Sequence, residues 1–206
     1  MGFNKFFENI FCINLDKRKD RWSFFTEEMK KNSIDNVVRY EGIDGDEIHN
    51  PTNMLNGELG ILLTHLSLIK ECKKRNYKNV LIFEDDIILN ENYNNFDDYM
   101  NQIPDDWDFI YFGGNHVYGK TPEKINNNVL KLNYTVSLHC VAISNTMFDV
   151  IINKLSAFEK QVDACYADLH KSVNCYGITP NLALQKEGYS NIQNKTVNYY
   201  SFFQNI

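Results

Sequence analysis

The sequence predicts one α/β domain over residues 1–206, with a mostly parallel central sheet flanked by helices. Two apolar runs of strand length carry that prediction, Val80-Leu81-Ile82-Phe83 and Phe109-Ile110-Tyr111-Phe112. Neither alternates with polar residues, so each suits a strand covered on both faces. Helix-like and strand-like patterns alternate along the rest of the chain, with no internal repeat and no linker between them.

In chain order, Phe6 to Leu15 reads as the first strand and is followed by the charged turn Asp16-Lys17-Arg18-Lys19-Asp20-Arg21. Trp22 to Lys31 continues as a short helix, with Trp22, Phe25 and Met29 at helical spacing. Val37 to Gly45 is a short strand broken at Gly42 and Gly45. Gly57 to Asn76 is the clearest helix, because Leu59, Leu62, Leu63, Leu66, Ile69 and Cys72 form one stripe. Lys70, Lys73, Lys74 and Arg75 load its C-terminal end, as the helix dipole favours. Asn56 is the expected N-cap, with Glu58 in the first turn. Beyond the two apolar strands, residues 119–128 read as a polar surface loop, Leu138 to Ser144 as a strand and Asn145 to Leu155 as a helix. Val162 to Lys171 looks helical, Cys175 to Pro180 resembles a short strand, and residues 181–195 read as mixed loop.

Composition narrows the function classes. A hydrophobic share of 43% and a charged share of 23% exclude a disordered chain. A net charge of -6 and a pI near 5.4 argue against nucleic-acid binding, which wants a basic surface. No window reaches the roughly 18 apolar residues of a membrane span. The first residues show no secretory signal, and Phe6 stands where myristoylation would want Ser or Thr. The cysteines, Cys12, Cys72, Cys140, Cys165 and Cys175, are scattered without a CxxC, so reduced thiols in a cytoplasmic setting are expected. The 28 asparagines, with abundant Lys, Ile, Tyr and Phe, suggest an AT-rich genome.

The sharpest chemical signal is Glu84-Asp85-Asp86 at the end of the Val80 run. Three adjacent carboxylates resist joint ionisation unless a cation or solvent compensates them. Alternation along a strand puts Glu84 and Asp86 on one face and Asp85 on the other. Ligands gather at the carboxyl ends of such strands, and oxygen ligands suit magnesium or manganese bridging to a phosphate. The bland alternative is a solvated acidic turn.

Arg18 and Arg21 in the basic turn suit a phosphate clamp or a nucleotide edge, against the alternative of a solvated turn at a helix start. Trp22 reads as a core aromatic. His65 and His139 each interrupt an apolar element and read as satisfied core groups. Asp163 and Asp168 lie five residues apart, about 140° around a helix, so they cannot share a face. Asp163 could equally cap its helix. The chain has no GxSxG, Walker loop or GxGxxG, which leaves hydrolase, P-loop and Rossmann-cofactor readings without support. Gly113-Gly114 would permit close backbone approach to a ligand or mark a turn.

Taken together, FCINLDKRKDRW, GELGILLTHLSLIKEC, VLIFEDDIIL, DWDFIYFGG, LHCVAIS, VDACYADL and ITPNLALQKEGYSNI resemble glycosyltransferase family 25. That group contains bacterial lipooligosaccharide galactosyltransferases and collagen hydroxylysine galactosyltransferases. The resemblance implies a GT-A-like fold, a UDP-galactose or UDP-glucose donor, a glycan or protein hydroxyl acceptor, Mn2+ or Mg2+, and inversion at the anomeric carbon. By position it makes Asp86 the leading metal ligand with Glu84 second, and adds Asp85 to the diphosphate motif. Ile13, Asn14, Leu15, Arg18 and Arg21 resemble the donor-nucleotide edge. Glu58, Gly60, Thr64 and His65 occupy the family's helix signature, where serine is commoner than Thr64. Leu132 to Ser137 replace the Gly-Thr-rich approach usual in the family, a departure on the acceptor side, and the chain is short for the family.

An inverting transfer also needs a carboxylate base, for which Asp163 is the first candidate and Asp168 the second. Two other readings stay open, a metal-dependent nucleotidyltransferase and a catalytically degenerate binding module. The first would normally show a glycine-rich phosphate loop, which this chain lacks.

Overall fold

A computed structural model describes residues 2–116, 121–192 and 195–197. The elements run α1 (Phe3–Phe6), β1 (Ile10–Asn14), α2 (Lys19–Lys31), β2 (Val37–Glu41), α3 (Asn56–Lys74), β3 (Asn79–Glu84) and β4 (Ile87–Leu89). Then follow α4 (Phe96–Met100), β5 (Phe109–Asn115), β6 (Glu123–Lys124), β7 (Val129–Lys131), β8 (Val136–Ser144), α5 (Phe148–Leu155) and α6 (Val162–Leu169). The last are β9 (Cys175–Ile178), β10 (Ala183–Gln185), β11 (Gly188–Ser190) and β12 (Lys195–Val197).

An 8-stranded sheet has the order β2-β1-β3-β8-β5-β9-β7-β6. Its pairings point β2, β1, β3, β5, β9 and β6 one way, and β8 and β7 the other. This is the mostly parallel α/β sheet that the sequence predicts. The Val80 run lies inside it, between β1 and β8.

Strand alternation sends successive side chains into two cores. Leu81 and Phe83 of β3 join Phe3, Phe7, Phe25 and Phe96 on the face covered by α1, α2 and α4. Val80 and Ile82 join Leu62, Leu66, Ile69, Ile151 and Cys165 on the face covered by α3, α5 and α6. All five cysteines are buried free thiols. Among the described residues no helix is long and apolar enough to cross a membrane.

Several boundaries move from the expected ones. The first strand begins at Ile10, because Phe3–Phe6 folds as a helix that buries Phe3 against Phe96, Phe112 and Phe83 at centroid distances of 4.6, 5.0 and 5.3 Å. Helix α2 starts at Lys19, inside the expected turn, and α3 starts at Asn56 itself. Leu55 is thus the N-cap, and its N–H donates to Glu58 Oε2 at 2.9 Å. In the expected loop 119–128, residues 119 and 120 lie outside the described residues, and Glu123–Lys124 pairs with β7. The expected mixed loop 181–195 holds β10, which pairs antiparallel with β4.

Candidate functional site

Because β1, β2, β3 and β5 are codirectional, their carboxyl ends meet at one edge of the sheet, beside the start of β8. A cavity of about 400 Å³ opens there, lined in part by Ile13, Leu15, Gly42, Glu84, Asn115 and Val136. This is where ligands collect in α/β sheets.

The acids form its floor. Asp85, in the turn after β3, has its own partners: Oδ2 accepts from Asn14 Nδ2 at 2.6 Å and Oδ1 from Arg21 Nη1 at 2.8 Å. Glu84 and Asp86 meet instead at Gln185, whose Nε2 lies 3.0 Å from Glu84 Oε2 and 3.5 Å from Asp86 Oδ1. Gln185 arrives there because β10 pairs with β4 in the register Gln185 to Ile87, and Lys186 N–H donates to Asp86 O at 2.8 Å. Loss of water together with the Asp86 and Asp85 charges pushes the Glu84 carboxyl up to about 8. Burial likewise raises Asp86 to about 6, against the pull of Arg21. The floor thus carries more negative charge than its own cation offsets.

Arg21 sits in the first turn of α2. Its Nη1 lies 3.0 Å from Asp86 Oδ2 as well as against Asp85, and its Nη2 donates to Tyr189 O at 2.7 Å. Arg18 binds the exposed Asp20 at 2.9 Å and donates to Asn191 Oδ1. The two arginines therefore differ: Arg21 is tied to the acids, and Arg18 to the rim. Asn14, 1% exposed, is a hidden hub rather than a lining residue, since it also donates to Arg18 O and accepts from Arg39 Nε. Trp22 stacks on Phe25 at 5.6 Å and serves the core.

The signature of α3 works mainly through the loop at residues 42–45, which lines the cavity. Thr64 Oγ1 accepts from Ile43 N–H at 2.8 Å and donates to Gly60 O at 2.8 Å. A Cβ on Gly60 would lie 2.5 Å from Ile43 O and 2.8 Å from Gly45 N, so only glycine allows this approach. Glu58 and Thr64 line the cavity, whereas His65 does not. His65 is fully buried, its Nδ1 lies 3.2 Å from Tyr166 Oη, and burial pushes it down to about 4. His139 is likewise a core group, bonded through Nε2 to Ala183 O at 3.0 Å. Gly113 admits that same Ala183: a Cβ there would lie 2.1 Å from Ala183 O, so the close approach is to β10 and not to a ligand.

Asp163, in the first turn of α6, lines the cavity with the acids, and its charge adds to the upward push on Glu84. Its Oδ1 also accepts from Ala164 N–H at 2.8 Å, while the N-cap position belongs to Gln161. Asp168 stands outside the cavity, held by Lys160 at 2.7 Å and Lys154 at 3.4 Å. The 140° separation thus places one acid in the site and the other in a surface ion-pair cluster.

Sequence reasoning missed Gln185, Asn115 and the β11–β12 hairpin. Asn115 ends β5 at the cavity, where the β5–β8 register shifts, and its buried Oδ1 has no hydrogen-bond partner among the described residues. Ser137 beside it has φ +74, a strained backbone for a residue with a side chain. Ser190, Asn191, Ile192 and Val197 of the hairpin wall the cavity.

The donor set suits a hard divalent ion. Among the described residues, no group of three or more His, Cys, Asp or Glu side chains is arranged to hold one. Glu84 and Asp86 supply oxygen donors whose protons a cation could displace, which fits an ion whose shell is completed by phosphate oxygens and water.

A family model described as "Glycosyltransferase family 25 (LPS biosynthesis protein)" matches residues 7–185. The chain is 28% identical over 149 residues to "Procollagen galactosyltransferase 2" of Homo sapiens, covering 61% of this chain and 24% of that protein. It is 28% identical over 140 residues to "Inactive glycosyltransferase 25 family member 3" of Homo sapiens, covering 57% and 23%. The matches thus span about a quarter of these relatives' length. The solved structure described as "Crystal Structure of A197 from STIV" covers 92% of both chains at 11% identity, with a TM-score of 0.49.

Proposed function

The chain belongs to glycosyltransferase family 25, and from that premise we propose that it transfers a hexose, galactose or glucose, from a UDP-sugar to a hydroxyl acceptor with inversion. The observation that carries this reading is the placement of Glu84, Asp86 and Asp163 around one cavity at the carboxyl edge of the sheet.

In this reading Glu84 and Asp86 would hold Mn2+ or Mg2+. The bound ion would supply neutralisation of the charge that grows on the departing nucleotide. Asp85 has a supporting role: it fixes Arg21 and Asn14 behind the floor. Gln185 holds the two ligand carboxylates in register. Arg18 and Asn191 border the donor at the rim. Asp163 takes the acceptor proton as the acceptor oxygen bonds to the anomeric carbon and the bond from that carbon to the diphosphate oxygen breaks.

The test is release of UDP from UDP-galactose and UDP-glucose, with Mn2+, with Mg2+ and with EDTA. Release that needs the ion and disappears in Asp86→Asn supports the reading. Full activity in EDTA removes the metal from it. The similarity to a relative named inactive favours one competing reading, a binding module without chemistry. UDP binding without any UDP release would establish that alternative.

A further inference from the structure

A second cavity, of about 820 Å³, adjoins the first, between the loop at residues 51–54, the approach to β8 and residues 158–164. Resting on the transferase reading above, we propose that this chamber is the acceptor subsite and takes an uncharged saccharide.

The two cavities share Glu58, Val136, Gln161 and Asp163. The carboxylate assigned as base thus stands on their boundary, open to a donor on one side and to a hydroxyl on the other. Within the second chamber Phe158 has φ +52, a left-handed backbone that bulky residues rarely adopt. The residue is 37% exposed and belongs to neither core. Strained turns that hold an apolar ring in a cavity are found at binding sites. A flat ring suits the C–H face of a pyranose, leaving the sugar hydroxyls for the polar boundary.

Charge narrows the class. Lys160, the cation of the chamber's lining, is bound to Asp168 at 2.7 Å, and Glu159 lies 3.4 Å from Lys154. Glu58 and Asp163 put two carboxyl groups at the boundary, so an anionic acceptor would meet both of them and an engaged lysine. An extended peptide would want a strand edge to pair with. Val136 is the one strand residue among the described lining, so the chamber offers a peptide no run of strand edge.

The experiment uses the full chain with Phe158→Ala and Asn53→Trp, the latter filling the chamber from an exposed loop position. UDP affinity, donor hydrolysis by water and melting temperature are measured first. Then UDP release is measured with neutral oligosaccharides ending in galactose, glucose, mannose or N-acetylglucosamine, with sialyllactose, and with a hydroxylysine-containing peptide. The expected result is stimulation by a neutral oligosaccharide whose KM rises about tenfold or more in both variants at similar kcat, the signature of lost uniform binding. UDP affinity and hydrolysis stay at the wild-type level. An unchanged KM in both folded variants overturns the proposal. So does stimulation by the peptide or sialyllactose alone, or by nothing in the panel. Donor hydrolysis that persists in those cases leaves the transferase reading standing, while its absence from the wild type removes that reading and this one together.

Discussion

Replacing Arg21 with alanine tests whether one buried cation holds the acidic floor together. Arg21 Nη1 lies 2.8 Å from Asp85 and 3.0 Å from Asp86, with side-chain exposures of 19%, 8% and 16% for the three residues. Removing one partner of a buried pair costs about 3–5 kcal/mol, because the other charge stays uncompensated. The remaining exposure places Arg21→Ala near the lower end, about 3 kcal/mol at pH 8. For a chain of this size that is a fall in Tm of about 6–12 °C. Arg18→Ala is the control: its partner Asp20 is 67% exposed, and such pairs contribute about 0–1 kcal/mol. The pH dependence has a definite sign. Glu84 and Asp86 titrate at about 8 and about 6, above ordinary carboxylates, so the folded state holds extra protons. Stability from this cluster is therefore present at low pH and lost as pH rises through those values. Without Arg21 the carboxyls rise further, so the variant's deficit is largest above about pH 8 and shrinks towards pH 5. Calorimetric melting of both variants at the two pH values, in EDTA, reads this directly. Equal Tm losses for Arg18→Ala and Arg21→Ala, or a pH-independent Arg21→Ala deficit, would refute the reasoning.

Asp163→Asn should keep its melting temperature and UDP affinity while transfer falls by about two to four orders of magnitude; near-normal transfer by the folded variant removes Asp163 as base. Thr64→Val deletes the acceptor for Ile43 N–H and should cost about 1 kcal/mol and weaken UDP binding through the loop at residues 42–45. Thr64→Ser should restore both, and calorimetric titration with UDP distinguishes them. Burial pushes His65, His116 and His139 down to about 4 and His170 down to about 3. They stay neutral in the fold while the unfolded chain takes up protons, so Tm should fall as pH drops from about 6.5 towards 4. In His65→Gln that slope should lessen by about one proton, and an unchanged slope would show that His65 does not contribute.

The acidic floor was legible because Val80–Phe83 is apolar on both faces and runs straight into charge. Strand alternation stops at Glu84, because Asp85 and Asp86 form the turn between β3 and β4, and Arg21 Nη1 reaches both of them. Gln185 was not legible. It reaches Glu84 through the pairing of β10 with β4, two strands of 3 residues each that are too short to show a period. Arg18 and Arg21 look equivalent in sequence, one helical turn apart, and both side chains are 19% exposed; their partners alone separate them. The first strand was read from Phe6, four residues early, because aromatic residues favour strands; Phe6 instead closes the helix Phe3–Phe6, and packing of Phe3 and Phe7 in the core outweighs that preference. Asp163 and Asp168 could be told apart only in part: their angular separation ruled out a shared role, but which one faced the cavity depended on Lys154 and Lys160.

The hairpin that walls the cavity has a consequence for how this molecule can diverge. Residues 188–192 and 195–197 follow the last strand of the large sheet and the end of the family match at residue 185, and none of them is buried. Substitutions or length changes there reshape the cavity without disturbing either core, so ligand preference can drift at little thermodynamic risk. A change at Asn14 or Asp85 has no such latitude, because those side chains tie the first strand, the second helix and the floor into one network. Inherited variation in what the protein accepts should therefore accumulate after residue 185, with the acids before it held nearly constant.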